Sequence, residues 1–552
     1  MVINRLKAVA LFALLSGAAA CHKNQDAAPA PPPVLPVNVQ FEFGSGNSPV
    51  TIDSTSKILH NLPAGCNLQK LAATAVLPSG YTISPDPSTI QDYTKGVNFT
   101  IKGSQGSYTI KLTALPYDSI ANPYGIYNAY DLSNVRHYLN GYFVLMNDIQ
   151  LPGLTDANAD GTTGISDYDT YGWYSIGSHY VNGGHIVFRG SLDGQNHMIK
   201  NLSIAYRESA VPMPAGMDTI PHSGKSNEGL FGYAAGGRFK NIGIQLSGGI
   251  VGISSDEDRG GVGALVGYAD TCTFDNCYVT GTGPVSGGGD VGGLVGVLRT
   301  GIANRCSSAI THTSGNFAVV NGGGLIGSVY FSTITSCNAN ADVTGTYLLG
   351  GLIGNVSTST IQNSYASGMV VEAASSGGSL VPPNSVGGLI GIVTSVSPSF
   401  TLINNCYAVG SVTGASSGSA SYLGSSYLGG LIGNIASTAS KVTVSNCYAA
   451  GAVTRTFTSA DPSTPLIGGL VGNTFNGVFA TAGGTCSNYW DKQTTTQSKL
   501  GGGSSVIAQD NCLTANGMTT SQMKTQTTYT GWDFTSTWGI DQGKNNGYPF
   551  LR

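Results

Sequence analysis

The sequence predicts an all-β protein in which a small N-terminal β-sandwich precedes a right-handed parallel β-helix (β-solenoid). Near copies of the pentapeptide Gly-Gly-Leu-Ile-Gly occur eight times, 27 to 42 residues apart, as expected of stacked repeats. The chain contains 79 Gly in 552 residues, and only 10% of its residues are charged, against about 25% in ordinary soluble domains. Before the first copy, short runs alternate apolar and polar residues, which indicates half-buried antiparallel strands.

The composition limits the classes of partner. Apolar residues make up 41% of the chain, and the net charge is −4. This composition is neither that of a disordered protein nor that of a protein with a basic surface for nucleic acid. We therefore expect no nucleic-acid partner.

Residues 1–21 have the pattern of a secretory signal peptide. Arg5 and Lys7 provide positive charge, an apolar run follows, and small residues come directly before Cys21. The arrangement resembles the lipobox of bacterial lipoproteins, which implies lipidation of Cys21 and a surface-exposed anchor in the outer membrane. An ordinary secretory signal is the alternative. The Ala- and Pro-rich residues 22–36 are typical of a semi-rigid tether.

Residues 37–115 contain the alternating runs of the predicted sandwich. Asn98-Phe-Thr-Ile-Lys102 and Tyr108-Thr-Ile-Lys-Leu112 are two of these runs. The segment resembles the immunoglobulin-like modules that follow the anchor in Bacteroidota surface lipoproteins. Leu62-Pro-Ala-Gly65, the Ser84-Pro85 pair and the turn Asp92-Tyr-Thr carry this resemblance. It implies a spacer that holds the rest of the chain away from the membrane.

Residues 120–228 are expected to form an N-terminal cap and the initial coils of the β-helix. Apolar residues recur at helical spacing from Ala129 to Leu139, which predicts a short amphipathic helix. With Trp173, the run Ile199-Lys-Asn-Leu202 and the later pentapeptides, this part of the chain resembles the GLUG-motif proteins. These are bacterial surface and secreted proteins, many of them described as adhesins. The resemblance covers residues 120–552 and implies the fold more strongly than the function.

Residues 229–490 hold the eight repeats, and residues 491–552 are expected to cap the far end. The glycines are predicted to allow either a positive φ or a close approach of two backbone segments. Asn276, Asn405 and Asn446 are expected at turns, because Asn tolerates the left-handed region. The first glycines of the eight copies are Gly229, Gly263, Gly292, Gly323, Gly350, Gly387, Gly429 and Gly468.

A second marker follows the repeat leucine by 12 to 17 residues, and we call its position the cysteine slot. Ser364 and Ile242 occupy the slot in two of the coils, and the paired Cys-x-x-Cys spacing of zinc sites is missing. Small buried side chains therefore explain the slot better than a metal or disulfide ladder. A local disulfide between Cys272 and Cys277 remains an alternative. The slot cysteines are Cys277, Cys306, Cys337, Cys406, Cys447 and Cys486.

Residues 156–167 match the pattern of a calcium-binding loop. Asp156, Asn158 and Asp160 place oxygen atoms at positions 1, 3 and 5, Gly161 follows at position 6, and Asp167 stands at position 12. We therefore predict Ca²⁺ as a cofactor, with Asp169 as a further ligand. A solvated polar loop is the alternative.

The sequence favours a non-catalytic role. Charged residues are sparse along the repeats and do not recur at one position of the coil, whereas glycosidases need paired carboxylates. We expect a surface lipoprotein that acts as an adhesin or scaffold for a host protein, a glycan or another cell. A carbohydrate-active β-helix enzyme, either a polysaccharide lyase or a glycosidase, is the alternative, and a structural stalk is third. The Ser- and Gly-rich loops between repeats are the expected binding region. Tyr171, Trp173, Tyr174 and Tyr180 could also stack on sugars, although packing against the N-terminal cap explains them better.

Overall fold

The computed structural model describes residues 39–50, 52, 56–104, 106–152, 168–169, 172–177, 180–181, 184–204, 227–252, 260–315, 321–373, 384–396, 399–415, 426–436, 442–455, 466–475, 477–478, 487–501 and 516–552. Nearly all of its regular elements are strands, which confirms the all-β prediction. The helices are few and short: Ala129–Asn134 and Thr520–Met523, with 3-10 turns at Val135–His137, Gln526–Thr528 and Asn545–Gly547. Among the described residues, none of these helices has the length and apolar character needed to cross a bilayer.

The N-terminal module consists of two small sheets that enclose an aromatic core. Phe41, Tyr93 and Phe99 are completely buried between the sheets, and the rings of Phe41 and Phe99 lie 5.3 Å apart. The predicted small N-terminal β domain is therefore confirmed. One sheet contains Gln40–Phe43, Ser48–Val50 and Ala73–Val76; the other contains Ile58–Leu59, Thr82–Ser84, Val97–Gly103 and Gly106–Ala114.

Hydrogen bonds join this module to the short helix Ala129–Asn134 of the next segment. The Ser48 hydroxyl and the Tyr127 backbone N–H both donate to the Asp131 carboxylate, at 2.6 and 3.0 Å. The side chain of Asn128 caps the helix by accepting from the Asp131 N–H and donates to the Gly46 carbonyl at 3.0 Å. Burial raises the pKa of Asp131 to about 6, although hydrogen bonds from the Ser48 hydroxyl and from the backbone of Tyr127 and Asn128 oppose this shift.

Asp131 should make the stability of the protein depend on pH. Because its pKa is about 6 in the folded protein and 3.8 in the unfolded chain, the folded state binds the proton more tightly. Its stabilising contribution is therefore complete below pH 3.8 and is lost as the pH rises through about 6. Relative to Asp131→Asn, the wild type should lose about 2 kcal/mol between pH 4 and pH 7. Parallel curves of urea-unfolding free energy against pH would contradict this assignment.

The rest of the chain forms the predicted parallel β-helix, with four sheets along its length. We name the sheets A to D in the order in which one coil visits them, and each coil contributes one strand to A, B and C and two strands to D. Sheet A contains Gly261–Val262, Asp290–Gly292, Asn321–Gly323, Leu348–Gly350, Ser385–Gly387, Tyr427–Gly429 and Leu466–Gly468. Sheet B contains Phe231–Ala235, Val266–Asp270, Val295–Arg299, Ile326–Tyr330, Ile353–Ser357, Ile390–Thr394, Ile432–Ala436 and Val471–Phe475.

Sheets C and D begin in the initial coils, before the repeats. Sheet C contains Tyr124–Ile126, Tyr142–Leu145, Ser191–Asp193, Arg238–Lys240, Thr273–Asp275, Ile302–Asn304, Thr333–Thr335, Thr360–Gln362, Thr401–Asn404, Val442–Ser445 and Gly477–Val478. Sheet D contains Ile149–Gln150, Tyr168–Asp169, Gly172–Trp173, Met198–Ile204, Gly243–Val251, Tyr278–Gly281, Val285–Gly287, Ser307–Ile310, His312–Gly315, Asn338–Ala339, Asp342–Gly345, Tyr365–Ala366, Val370–Glu372, Tyr407–Ala408, Val412–Gly414, Tyr448–Ala449, Val453–Arg455, Tyr489–Asp491 and Gly517–Met518. Two hairpins stand outside these sheets: Tyr180–Val181 with Gly184–His185, and Trp538–Gly539 with Phe550–Leu551.

The pentapeptide glycines permit a close approach of backbone segments. A Cβ atom on Gly351 would lie 2.1 Å from the Gly388 carbonyl oxygen of the next coil, and one on Gly350 would lie 2.7 Å from the Gly391 nitrogen. The first glycines of the eight copies do not have the positive φ that was the alternative explanation. The leucine between the glycines is buried in every coil and fills the core. The motif is therefore a packing device at the corner between sheets A and B.

The left-handed corners are occupied by other residues, above all Asn. Asn276, Asn405 and Asn446 have φ values of 53°, 52° and 52° at the corner between sheets C and D. The Asn276 side-chain amide donates to the Asn241 oxygen of the preceding coil at 2.9 Å, and Asn405 donates to Asn363 at 3.0 Å. These bonds link neighbouring coils at the corner, where Asn is expected because its side chain tolerates this backbone conformation.

Two groups of aromatic side chains cover the C-terminal end of the β-helix. Trp490 continues a row of small core residues, because it pairs with Ala449 and its ring lies over Gly469. Outside sheet D, the stacked rings of Tyr407 and Tyr448 lie 5.0 Å apart and are covered by the final segment, residues 516–552. The Tyr448 hydroxyl donates to the Pro549 carbonyl at 2.6 Å. The last residues therefore cover a side face of the β-helix as well as its end.

Candidate ligand-binding site

Several predicted site residues lie outside the described part of the chain. These residues include the lipidation residue and the four predicted calcium ligands, so the structure gives no geometry for either site. Among the described residues, no three His, Cys, Asp or Glu side chains come together as a metal site. The predicted residues concerned are Cys21, Asp156, Asn158, Asp160, Asp167 and Cys486.

The cysteine slot is a buried hydrogen-bonding position. The Cys306 N–H donates to the Cys337 sulfur at 3.4 Å, and the Cys337 N–H donates to the Ser364 hydroxyl at 3.1 Å. The Cys337 and Ser364 side chains also donate to the carbonyl two residues earlier, which explains why Ser and Cys occupy equivalent positions. Burial raises the pKa of the Cys337 thiol well above its usual value, so it is a poor nucleophile.

The strand register corrects the last member of the cysteine slot. Tyr448 pairs with Tyr489, which places Asn488 beside Cys447. The Cys447 N–H donates to the Asn488 side-chain oxygen at 3.0 Å. The slot in this coil therefore belongs to Asn488 and not to Cys486, because the chain reaches sheet D two residues later than the cysteine spacing suggests. Cys272 and Cys277 are free thiols.

The aromatic residues around Trp173 belong to the interior of the initial coils. Trp173 is completely buried, and its indole N–H donates to the Leu230 carbonyl at 3.0 Å. The Arg136 guanidinium lies over the Trp173 and Tyr174 rings, 5.3 and 5.6 Å from their centroids. These two rings therefore form part of the framework and are not available for stacking on a ligand.

Glu372 is a buried carboxylate at the edge from which two interrepeat loops leave the β-helix. It accepts hydrogen bonds from the Asn384 amide at 2.6 Å, the Ser426 hydroxyl at 2.9 Å and the Ala415 N–H at 3.0 Å. Asn384 ends one Ser- and Gly-rich connector, and Ala415 and Ser426 flank the next. The carboxylate thus holds the bases of both loops in place.

An exposed apolar ridge follows the corner between sheets B and C. We define this corner ridge as Ile302, Phe331, Val396 and Phe400, whose side chains are 49%, 50%, 57% and 64% exposed. Among the described residues ten large apolar side chains are exposed, and four of them share this corner. Apolar residues concentrated on one edge are a feature of binding surfaces.

The two phenylalanines lie at the same corner, on either side of the coil that holds Thr358. The Phe331 N–H donates to the Ser357 carbonyl at 3.1 Å, and the Thr358 N–H donates to the Thr394 carbonyl at 3.2 Å. The Val396 N–H donates to the Thr358 hydroxyl at 3.0 Å, so the loop that carries Phe400 folds over Thr358. Phe331 and the strands that flank the Phe400 loop lie two coils apart, which is roughly 10 Å along the axis.

Uncharged side chains, most of them able to hydrogen-bond, cover the outer face of sheet C, and Ile302 belongs both to this face and to the ridge. They form two parallel rows because alternate residues of each short strand point outward. One row contains Ile302, Thr333, Thr360, Leu402 and Thr443, and the other contains Asn304, Thr335, Gln362, Asn404 and Ser445. In the second row the Ser445 hydroxyl donates to the Asn404 side-chain oxygen at 2.9 Å.

Sequence reasoning missed the ridge, although a signal was present. Six residues before the cysteine slot the successive coils hold Thr271, Thr300, Phe331, Thr358 and Phe400. Two large apolar residues therefore interrupt a row of threonines at an outward corner. Alignment of the coils on the cysteine slot shows these two substitutions. The loops were predicted as the binding region instead, because they vary in length.

Two family models match parts of the chain. One, described as the N-terminal part of SGBP, the surface glycan-binding proteins, matches residues 38–114. The other, described as the GLUG motif, matches residues 258–282 and confirms the resemblance to GLUG-motif proteins. No curated protein matches the chain.

Two solved structures are similar to the chain. A candidate immunoglobulin A1 protease from Bacteroides ovatus is 19% identical and has a TM-score of 0.37, over 78% of this chain and 93% of its own. A protein named IgA1 protease is 15% identical and has a TM-score of 0.37, over 74% of this chain and 28% of its own. The match thus spans less than a third of the second structure.

Proposed function

We propose that the protein is a non-catalytic, surface-exposed lipoprotein that binds glycan. The match of residues 38–114 to the N-terminal model of surface glycan-binding proteins carries this proposal. In this role the N-terminal module is a spacer, and the β-helix is a rigid scaffold that presents the corner ridge. The sparse charge of the repeats and the exposed phenylalanines support binding to a ligand with apolar faces.

The test is binding of residues 37–552 to glycan and extracellular-matrix arrays. We expect retention on glycan and none on matrix proteins alone. The array is run with calcium and with a chelator, because we also propose that residues 156–167 bind Ca²⁺ through Asp156, Asn158, Asp160 and Asp167. Binding to matrix proteins but to no glycan would contradict the proposed function.

The anchor can be tested separately with Cys21→Ser. Loss of the acceptor sulfur should prevent lipidation and move the protein from the membrane fraction to the soluble fraction, because a lipid chain supplies the membrane affinity. Detergent phase partitioning and labelling with a fatty-acid analogue measure this change. Cys66→Ser is the matched control and should remain anchored. A Cys21→Ser protein that still partitions with membranes would contradict lipidation.

A further inference from the structure

Building on the proposed function, we infer that the corner ridge and the outer face of sheet C form one glycan site, whose ligand is an uncharged glycan chain lying along the β-helix axis. A sugar ring has apolar C–H faces and a rim of hydroxyl groups. The ridge provides apolar and aromatic contact surface, and the rows beside it provide hydroxyl and amide groups. The two kinds of group run side by side along the same coils.

Phe331 is the first observation in support, because its exposed ring contributes little to folding. Its φ is 52°, and its ring is half exposed. A positive φ costs on the order of 1 kcal/mol or more for bulky and for β-branched residues, so the backbone conformation belongs to the corner and the exposed ring is what sets Phe331 apart. At the equivalent corners the chain uses Thr271, Thr300 and Thr358, which also have positive φ values. Since the exposed ring gains little from burial, its presence is better explained by contact with a ligand.

The repeat geometry gives the direction of the ligand. Parallel coils place equivalent side chains about 4.8 Å apart along the axis. Ile302 pairs with Thr333, Thr333 with Thr360, and Thr360 with Leu402, so the rows continue without interruption past both phenylalanines. A chain of sugars lying along the axis can contact several coils, whereas one lying across it meets a single narrow strand.

The charge distribution gives the ligand class. From Ile302 to Ser445, the outward side chains on the described strands of sheet C are all uncharged. Two charged features border this surface. Arg299 is exposed at the end of a sheet B strand, and Arg305 pairs with Asp275 at 2.8 Å, so the charges of that pair are mutually compensated. Lys441 precedes the last strand and lies outside the described residues. A surface of this kind favours a neutral polysaccharide over an anionic one.

The variants exploit the equivalence of the coils. Phe331→Thr installs the residue found at three equivalent corners, so it should fold as well as the wild type. Phe400→Thr removes the second ring, and Ile90→Thr, an exposed position in the N-terminal module, is the matched control. Thermal unfolding of all three proteins is measured first to verify folding.

Binding is measured by isothermal titration with neutral and anionic polysaccharides that the wild type retains on the array. We expect each phenylalanine variant to bind the neutral glycan about tenfold more weakly, with Ile90→Thr unchanged. Affinity should be the same at low and high salt, because screening weakens only charged contacts. This combination would support the inference.

Each negative result of this experiment has a different meaning. Glycan binding that both phenylalanine variants retain would overturn the inference and leave the proposed function intact. A preference for anionic glycans that weakens with salt would overturn the ligand class. A change in the sedimentation coefficient of the variants, with glycan binding unchanged, would assign the ridge to self-association and overturn the inference. No glycan binding by the wild type would contradict the proposed function itself.

Discussion

Replacing Gly351 with Ala should destabilise the β-helix by about 3 kcal/mol. The new Cβ atom would lie 2.1 Å from the Gly388 carbonyl oxygen and 2.9 Å from the Ala366 Cβ. The carbonyl belongs to the backbone of the next coil, so the contact can be relieved only by separating two coils or breaking their register. We expect a lower midpoint of guanidinium unfolding and faster proteolysis within the repeats.

Gly543→Ala is the control for this experiment. Gly543 lies in the C-terminal segment, and the nearest atom to its added Cβ is an Asp541 carboxylate oxygen at 3.5 Å. The same chemical change should therefore have almost no effect there. An unfolding midpoint of Gly351→Ala equal to that of Gly543→Ala would show that the pentapeptide glycines do not act through close packing.

Trp490→Ala should cost about 3 to 5 kcal/mol, the usual range for removal of a buried Trp side chain. Trp490 is completely buried, and its indole N–H donates to the Gln497 carbonyl at 2.9 Å. Its ring occupies the space above Gly469 that the next coil would otherwise fill, so its loss leaves the last coil uncovered. We expect increased amide hydrogen exchange in the strands Tyr448–Ala449 and Val471–Phe475.

Phe400→Ala is the matched control for Trp490→Ala. Phe400 is a large aromatic residue of the same β-helix but is exposed, so its truncation should change stability by no more than about 0.5 kcal/mol. If Trp490→Ala unfolds at the wild-type midpoint, another part of the chain must close the C-terminal end.

The repeat architecture could be predicted because every coil needs the same residue types at the same positions. The recurring leucine fills the core, and the glycines beside it mark the close approach of successive coils. From the sequence, those glycines could serve either a positive φ or a close approach of two backbone segments. The backbone geometry shows that they serve the close approach. The positive φ values belong instead to Asn276 and its equivalents, as expected from the tolerance of Asn for this region.

The candidate site was harder to predict because it depends on which residues meet across coils. Phe331 and Phe400 are 69 residues apart in the chain, and nothing between them sets their distance until the coils are aligned. Asn488 illustrates the same limit at the cysteine slot, where spacing alone favoured Cys486. A local loop pattern such as residues 156–167 is easier to notice in a sequence, but it says nothing about the outer face of the β-helix.

The most direct test of a non-catalytic glycan-binding scaffold measures retention and cleavage in one experiment. Residues 37–552 are incubated with a panel of neutral polysaccharides, and both the bound protein and the newly formed reducing ends are quantified over time. We predict that at least one polysaccharide retains the wild type, that Phe331→Thr reduces this retention, and that reducing ends stay at the level of the protein-free control. Accumulation of reducing ends with the wild type would contradict the account and favour a carbohydrate-active enzyme.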